Sequence, residues 1–586
     1  MASSAVAAPP EPGRSAAPLP VSAPWVPPLH ATSWRVERLA GMVPLAASVF
    51  VASSIFLAPW GRGTAAVLAV ALLTFNAYWL LRSYSVAVAA VVGLRRLRAW
   101  QRIDWPRRYA VWRSPRPLSH EWDWPRHMVI IPNYRESLAG LARTLDSLAA
   151  QANAEQLVVV LAMEAREAEA RTKAAALRLR FRGRFAKLFA TFHPSDIPGE
   201  TPGKGSNEAW AARQAYTRLI LGEDDDINRY TVTSCDADAV FHPRHFEALN
   251  YLFLTSRDRY HAFWQPAIFN SNNIWDVPAP LRIPDGLSGI NRLANLVLPT
   301  SVKMPTSCYS LSWILLHEVD YWDEEVIPED WHLYLKCCYT VGDRVHVEPL
   351  FLPLGNDCVH TDGYWKTLRA HYFQAVRHAW GASDIPYAWR AATSRRTRLR
   401  RARGLMLAAN LTKVHVLWAS QWFVVTFGVI VPARFAGVLD APMPYWWTHR
   451  AFHLPGVTWH LEHIASPSTW LAFDRSGLVE PMMWMNLSGF LVALCLLPLI
   501  AIIVVEAKSR GTRPPYVSRV GAIGQFAMWP LMAVITFFWA ALPAFHAQWR
   551  LASGRGLVYR VAEKGGRDLK PVIELDRPLT APLPAD

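Results

Sequence analysis

Five long apolar runs, gathered towards the two ends of the chain and edged with arginine, limit what it can become. Leu39–Ala58 and about Thr64 to Tyr84 come early; Leu411–Ala433, Leu487–Val505 and Gly521–Phe545 come late. About 20 mostly apolar residues are enough to cross a bilayer as helix. A tight Pro59-Trp60-Gly61-Arg62-Gly63 turn joins the first two runs into a hairpin, 35–94, whose second arm can continue to Leu94 with Arg82 snorkelling. A mean hydropathy of +0.08 with 52% hydrophobic residues, high for a soluble enzyme, agrees with a membrane protein.

The charge is read the same way. A net charge of +15 and a pI of about 9.7 would by themselves suit a nucleic-acid partner. The arginines, however, cluster beside the apolar runs, as Arg95-Arg96-Leu97-Arg98 and as six arginines within Arg395–Arg403. Their work is then orientation and lipid headgroups, with no nucleic acid, and the side that carries them is cytoplasmic. The expected protein is a multi-pass one of the cell or inner membrane, its middle domain in the cytoplasm. Residues 1–34 are Ala/Pro/Ser-rich and predicted disordered. Six cysteines without a C-x-x-C pair argue against zinc and against a disulfide framework.

The late runs leave the topology open. Three crossings would put the C-terminus outside, yet 551–586 is basic at its start (Arg555, Arg560, Lys564, Arg567). Either one run within 395–550 lies in the interface, or the Trp-rich loop 435–485 hides a crossing; a cytoplasmic tail is the preferred reading.

Between the membrane segments, in 95–394, short apolar runs alternate with helical patterns, as in an α/β domain with a largely parallel sheet. Strands are predicted at His127–Ile131, Gln156–Ala162, Leu188–Phe192 and at the end of Tyr230–Thr233. Polar residues follow each, where open α/β sheets bind ligands: Pro132, Tyr134 and Glu136 after the first, Glu164 after the second. Pro202–Asn207, with Lys204 and Asn207, opens a predicted helix Glu208–Leu221 and can cradle a phosphate.

The most informative stretch is Val232–Phe241. Asp236 and Asp238 stand one residue apart between apolar flanks, where an unpaired carboxylate is costly. Alternate residues of an extended chain point the same way, so both can face one hard cation, Mg²⁺ or Mn²⁺. Glu329-Asp330 begins a helix, a position that also suits plain dipole capping. Gln374 and Arg377 share a helical face ahead of Trp380, as surface residues beside a packed Trp also would. His360 is a further candidate metal ligand, or a hydrogen-bonded loop histidine.

In this order the pieces resemble the membrane-embedded family 2 glycosyltransferases, the group holding cellulose, chitin and hyaluronan synthases. The resemblance covers 126–381 and the flanking membrane pattern. It implies a GT-A-type nucleotide-sugar-binding domain inserted between transmembrane helices. Glu164, where the family more usually has Asp, would contact the base; Lys204 to Asn207 would lie near the nucleotide. Asp236 and Asp238 would meet the diphosphate and the metal, and Asp330 would be the catalytic base beside Glu329. Gln374, Arg377 and Trp380 resemble the Q-x-x-R-W motif lining the acceptor site, with two residues between Arg and Trp. Tyr559–Lys564 resembles a gating loop in spacing.

The implied reaction is inverting transfer from a nucleoside-diphosphate sugar, a UDP-sugar by the resemblance, to a growing polysaccharide, coupled to export. Two alternatives remain: single transfer to a lipid or lipid-linked acceptor, and an inactive membrane scaffold.

Overall fold

The computed structural model describes residues 34–54, 56, 62–427, 491–510 and 513–555. The predicted disorder of 1–33, the loop 435–485 and the gating-like segment Tyr559–Lys564 lie outside them.

The middle of the chain folds on one eight-stranded mixed sheet: β1 (Arg126–Asn133), β2 (Leu157–Glu164), β3 (Lys187–His193), β4 (Tyr230–Ser234), β5 (Val240–Phe241), β6 (Ala262–Asn270), β7 (Tyr309–Ser312) and β8 (His346–Asn356). Their spatial order is β3-β2-β1-β4-β7-β6-β8-β5. The first four are parallel neighbours, β7 runs antiparallel to β4 and β6, and β8 runs parallel to β6. Continuous apolar runs are what strands covered on both faces require. Met128 and Ile130 point into one core layer with Val158, Val160 and the alanines of the helix Lys204–Ala215. Val129 and Ile131 point into the other, with Val159, Leu161 and the helices Leu138–Ala149 and His245–Thr255.

From β1 the chain winds outward through β2 to β3, then returns to β4 on the other side of β1. This reversal opens a crevice at the carboxyl ends of β1 and β4. Strand positions follow the sequence reading, with shifted ends. Pro132 and Asn133, expected in a loop, extend β1: they pair with Ala162 and Met163 of β2, past Ile130, the last partner of β4. Pro132 has no N–H, so it is tolerated where one neighbour has already left. The helix expected at Glu208–Leu221 starts at Lys204 instead, and Tyr216–Leu221 loosens into a π turn.

Three helices among the described residues are long and apolar enough to cross a membrane: Val70–Gln101, Leu491–Ser509 and Arg519–Ala552. The first belongs to one unbroken 40-residue helix, Arg62–Gln101. The helix Trp34–Ser53 carries a shorter apolar part, Gly41–Ser53. Arg401–Phe427, where a crossing was expected, is a 27-residue helix outside those three; it carries Arg401, Arg403 and Lys413.

The long helix joins the sheet domain directly. Its Val86, Ala90, Leu94 and Leu97 share a core with Leu293 of the helix Arg282–Val297 and with Phe269 of β6. Gly93 makes the approach possible, since a Cβ there would stand 2.7 Å from Leu293 Cγ. Arg82, expected to snorkel to headgroups, donates to Asn295 Oδ1 at 3.1 Å instead.

Candidate active site

The crevice is lined by the ends of β1, β4 and β8 and by the first turns of two helices, Lys204–Ala215 and Glu329–Val341. Gly205 lets those turns meet, because a Cβ there would lie 3.1 Å from Glu329 Cβ. Lys204 Nζ donates to Asp236 Oδ1 at 2.8 Å and to the Ser307 carbonyl at 2.6 Å, and lies 3.4 Å from Glu329 Oε1.

Ser307 is the node of the site. Its hydroxyl donates to Asp236 Oδ2, and its backbone N–H donates to Asp330 Oδ2 at 3.0 Å. It holds φ at +62°, a costly conformation for a residue with a Cβ. Asn356, the last residue of β8, donates to Asp236 Oδ2 at 3.0 Å and to Ser307 Oγ at 2.9 Å. One residue, Ser307, thus ties the Asp-x-Asp stretch, 71 residues before it, to the Glu-Asp pair, its hydroxyl meeting the one and its N–H the other.

Asp238 is buried and accepts the Asp357 N–H at 2.7 Å; Asp357 is held by Arg143 at 2.6 Å. Asp330 Oδ1 accepts the Trp331 N–H at 2.8 Å. Burial, with Glu329 beside it, pushes the Asp330 carboxyl up to about 7 against the opposing pull of Ser307 N–H and Lys204. Burial likewise raises Glu208, which accepts from Ser234 Oγ at 2.7 Å, to about 8. Lys204 is the reverse case: burial alone would lower it, and Asp236, Glu208 and Glu329 hold it firmly charged.

Around this one ammonium stand four carboxylates: Asp236, Glu208, Glu329 and Asp330. The excess of hard oxygen donors suits a divalent cation completed by phosphate oxygens. Among the described residues no group of three or more His, Cys, Asp and Glu is arranged to hold an ion without such help. Asp236, Asp238 and His360 therefore do not form a preassembled three-ligand site.

The other sequence-derived residues fall on either side. Asn207 donates to the Ala162 carbonyl at 2.8 Å and so anchors β2. Glu136 accepts the Tyr134 N–H at 2.6 Å, which tightens the loop after β1. Glu164 is buried, 3.0 Å from Arg166 Nε and 3.4 Å from His193 Nδ1. Gln374 and Arg377 lie half-buried on the helix Tyr364–Ala379. Trp380, just beyond it, packs with Val376, Ala379, Ala419, Ala544 and Ala547.

Sequence reasoning missed Asn356, Asp357, Glu208, Arg166 and Arg292. The first two were findable, as a polar pair closing the apolar run Leu350–Gly355. Glu208 follows Lys204 by one helical turn. Arg292 is reached only through the fold: it donates to Ser288 Oγ at 2.7 Å, and Asp285, Asp236 and Asp330 counter the lowering that burial imposes on it.

No family model matches the chain, and neither does any curated protein. Among solved structures it is similar to a mannosyltransferase from Pyrobaculum calidifontis in complex with GDP-Man and Mn²⁺. That match has 16% identity and a TM-score of 0.34, covering 71% of this chain and 99% of the other. It is also similar to residues 1–349 of TarS from S. aureus in complex with UDP-GlcNAc, at 12% identity and a TM-score of 0.31, covering 53% and 83%. Scores this low say nothing about activity, which has to be read from the side chains.

Proposed function

We propose that the chain is an inverting, metal-dependent membrane glycosyltransferase of family 2. It transfers a sugar from a nucleoside-diphosphate sugar to a growing polysaccharide, with export coupled to synthesis. The observation that carries this reading is the Ser307 node, which sets a carboxylate suited to a diphosphate-bound cation and a carboxyl raised to about 7 on two sides of one residue.

In the proposed reaction the acceptor hydroxyl gives its proton to Asp330 Oδ as its oxygen attacks the anomeric carbon. The bond from that carbon to the β-phosphate oxygen breaks, and the nucleoside diphosphate leaves with the electron pair. One in-line displacement inverts the centre, so an α-linked donor gives a β-linked product. Asp236 and Asp238, with His360 as a proposed further ligand, would hold Mg²⁺ or Mn²⁺, whose Lewis acidity offsets charge on the leaving phosphate. Lys204 adds fixed positive charge to the same end.

The test is nucleoside-diphosphate release by the full chain in detergent, with a panel of sugar nucleotides and either ion. Release that disappears in Asp330→Asn and in Asp236→Asn supports the reading. Release that survives in Asp330→Asn removes the base, and no release with any donor favours an inactive scaffold. A second reading, single transfer to a lipid-linked acceptor, draws on Trp380, whose ring is committed to helix packing. Product length on a gel separates the two.

A further inference from the structure

The resemblance to family 2 enzymes implies a uracil base met by the acid after β2. The side chains there point elsewhere. Glu164 keeps 3% of its side chain exposed, and both its oxygens are approached: Oε2 lies 3.0 Å from Arg166 Nε, and Oε1 lies 3.4 Å from His193 Nδ1. His193 is fixed in turn by Glu200, 2.7 Å from Nε2. The neighbouring acid, Glu167, is occupied as well, by Lys173, by Asn133 Nδ2 at 3.0 Å and by the Arg135 N–H at 3.0 Å. Both carboxylates that follow β2, Glu164 and Glu167, are thus engaged by protein groups.

What faces outward is Arg166, with 26% of its side chain exposed. Its Cζ lies 4.1 Å from the centre of the Tyr134 ring. Glu164 takes Nε, and among the described residues the Nη1–Nη2 edge makes no other ion pair. The result is a planar pair of donors, held by a buried acid against an aromatic ring that Arg135 also approaches at 5.0 Å, at the carboxyl ends of β1 and β2.

We propose that the donor's base is guanine, read by Arg166 on Tyr134. The inference rests on the nucleotide-sugar reading given above. Guanine offers O6 and N7 as adjacent acceptors, which a guanidinium fork meets bidentately; adenine puts a donor beside N7. Uracil separates its two carbonyls by the N3–H donor, so one fork cannot take both. The Tyr134 ring lies against the Arg166 guanidinium and so helps to position the fork.

The experiment is calorimetric titration of the full chain in detergent with GDP, UDP, CDP and ADP in the presence of Mn²⁺, repeated with Arg166→Lys and Tyr134→Ala. The expected result is GDP binding about 10-fold or more tighter than UDP and ADP, within the range for one bidentate base contact. Arg166→Lys keeps the charge and loses the fork, so it should erase the GDP preference and leave UDP unchanged. Tyr134→Ala removes the ring that positions the fork and should shrink the GDP preference. UDP or another base binding tightest overturns the guanine assignment while leaving the nucleotide site standing. Equal weakening of all four in Arg166→Lys places that residue on the diphosphate and also overturns it. Binding of none, in a chain that still unfolds cooperatively, removes the nucleotide site and the inference with it.

Discussion

The helix Glu329–Val341 carries two buried charge clusters, one turn apart, that behave in opposite ways. In the first turn Glu329 and Asp330 join Asp236 and Glu208 around Lys204, with Arg292 acting on Asp236 and Asp330, so that four acids meet two cations. Just beyond, His332 has a carboxylate on each ring nitrogen, Asp384 at 2.9 Å and Asp323 at 2.8 Å, and Lys336 bonds Asp323 at 2.6 Å. Here two acids meet two bases. Burial would neutralise His332, but Asp384 and Asp323 hold it up to about 9; burial would raise Asp323, but His332 and Lys336 bring it down to about 2. Pairing holds His332 up and brings Asp323 down, whereas the unbalanced cluster drives Asp330 and Glu208 towards their neutral forms. The first-turn cluster is the more open of the two, with Asp236 keeping 24% of its side chain exposed against 4% for Asp384, yet the balance of partners sets the direction of each shift.

The comparison breaks first at Asp330. Asp330→Asn should cost about 10²- to 10⁴-fold in transfer, the usual share of a general base, with unchanged thermal unfolding. A similar loss of stability would make Asp330 a structural acid like Asp323. His332→Ala should do the reverse: it strands the buried Asp384 and leaves Asp323 to Lys336 alone, at a cost of about 3–5 kcal/mol in folding, read as a lower unfolding midpoint.

The two clusters also carry opposite pH signatures. The His332 pKa is raised on folding, so its stabilisation is complete below about pH 6.5 and is lost as pH rises through about 9. Asp330 must be ionised to accept a proton, so kcat/KM should fall as pH drops below about 7. Lys204→Met should move that limb to higher pH, since the lysine's charge favours the ionised form; a limb that stays put would detach Lys204 from the base. The smallest effect is expected at Arg180 and Asp146, paired at 2.7 Å with more than half of each side chain exposed. Arg180→Ala should change stability by about 0.5 kcal/mol or less.

Much of the scaffold was legible because burial on both faces writes itself as unbroken apolar runs. The first four strands and the Asp236–Asp238 stretch could be read that way. The ends of elements were less legible, because they depend on which neighbour is still paired, as at Pro132. The Ser307 node was less visible still. Nothing in the sequence around Ser307 marks a residue whose partners lie 71 positions back and 23 ahead. Glu164 was visible as an acid after a strand, but its pairing with Arg166 and His193 depends on β3 lying alongside.

The 40-residue helix Arg62–Gln101 has one further consequence. At 1.5 Å per residue it is about 60 Å long, twice the thickness of a hydrocarbon core. It passes without a break from the candidate span into the packing beside β6 and β8. A rod of that kind transmits torque as well as position. The sheet domain would then keep a fixed distance and heading relative to the start of that helix. Lengthening the helix by one residue ahead of Val86 would turn the sheet domain by about 100°.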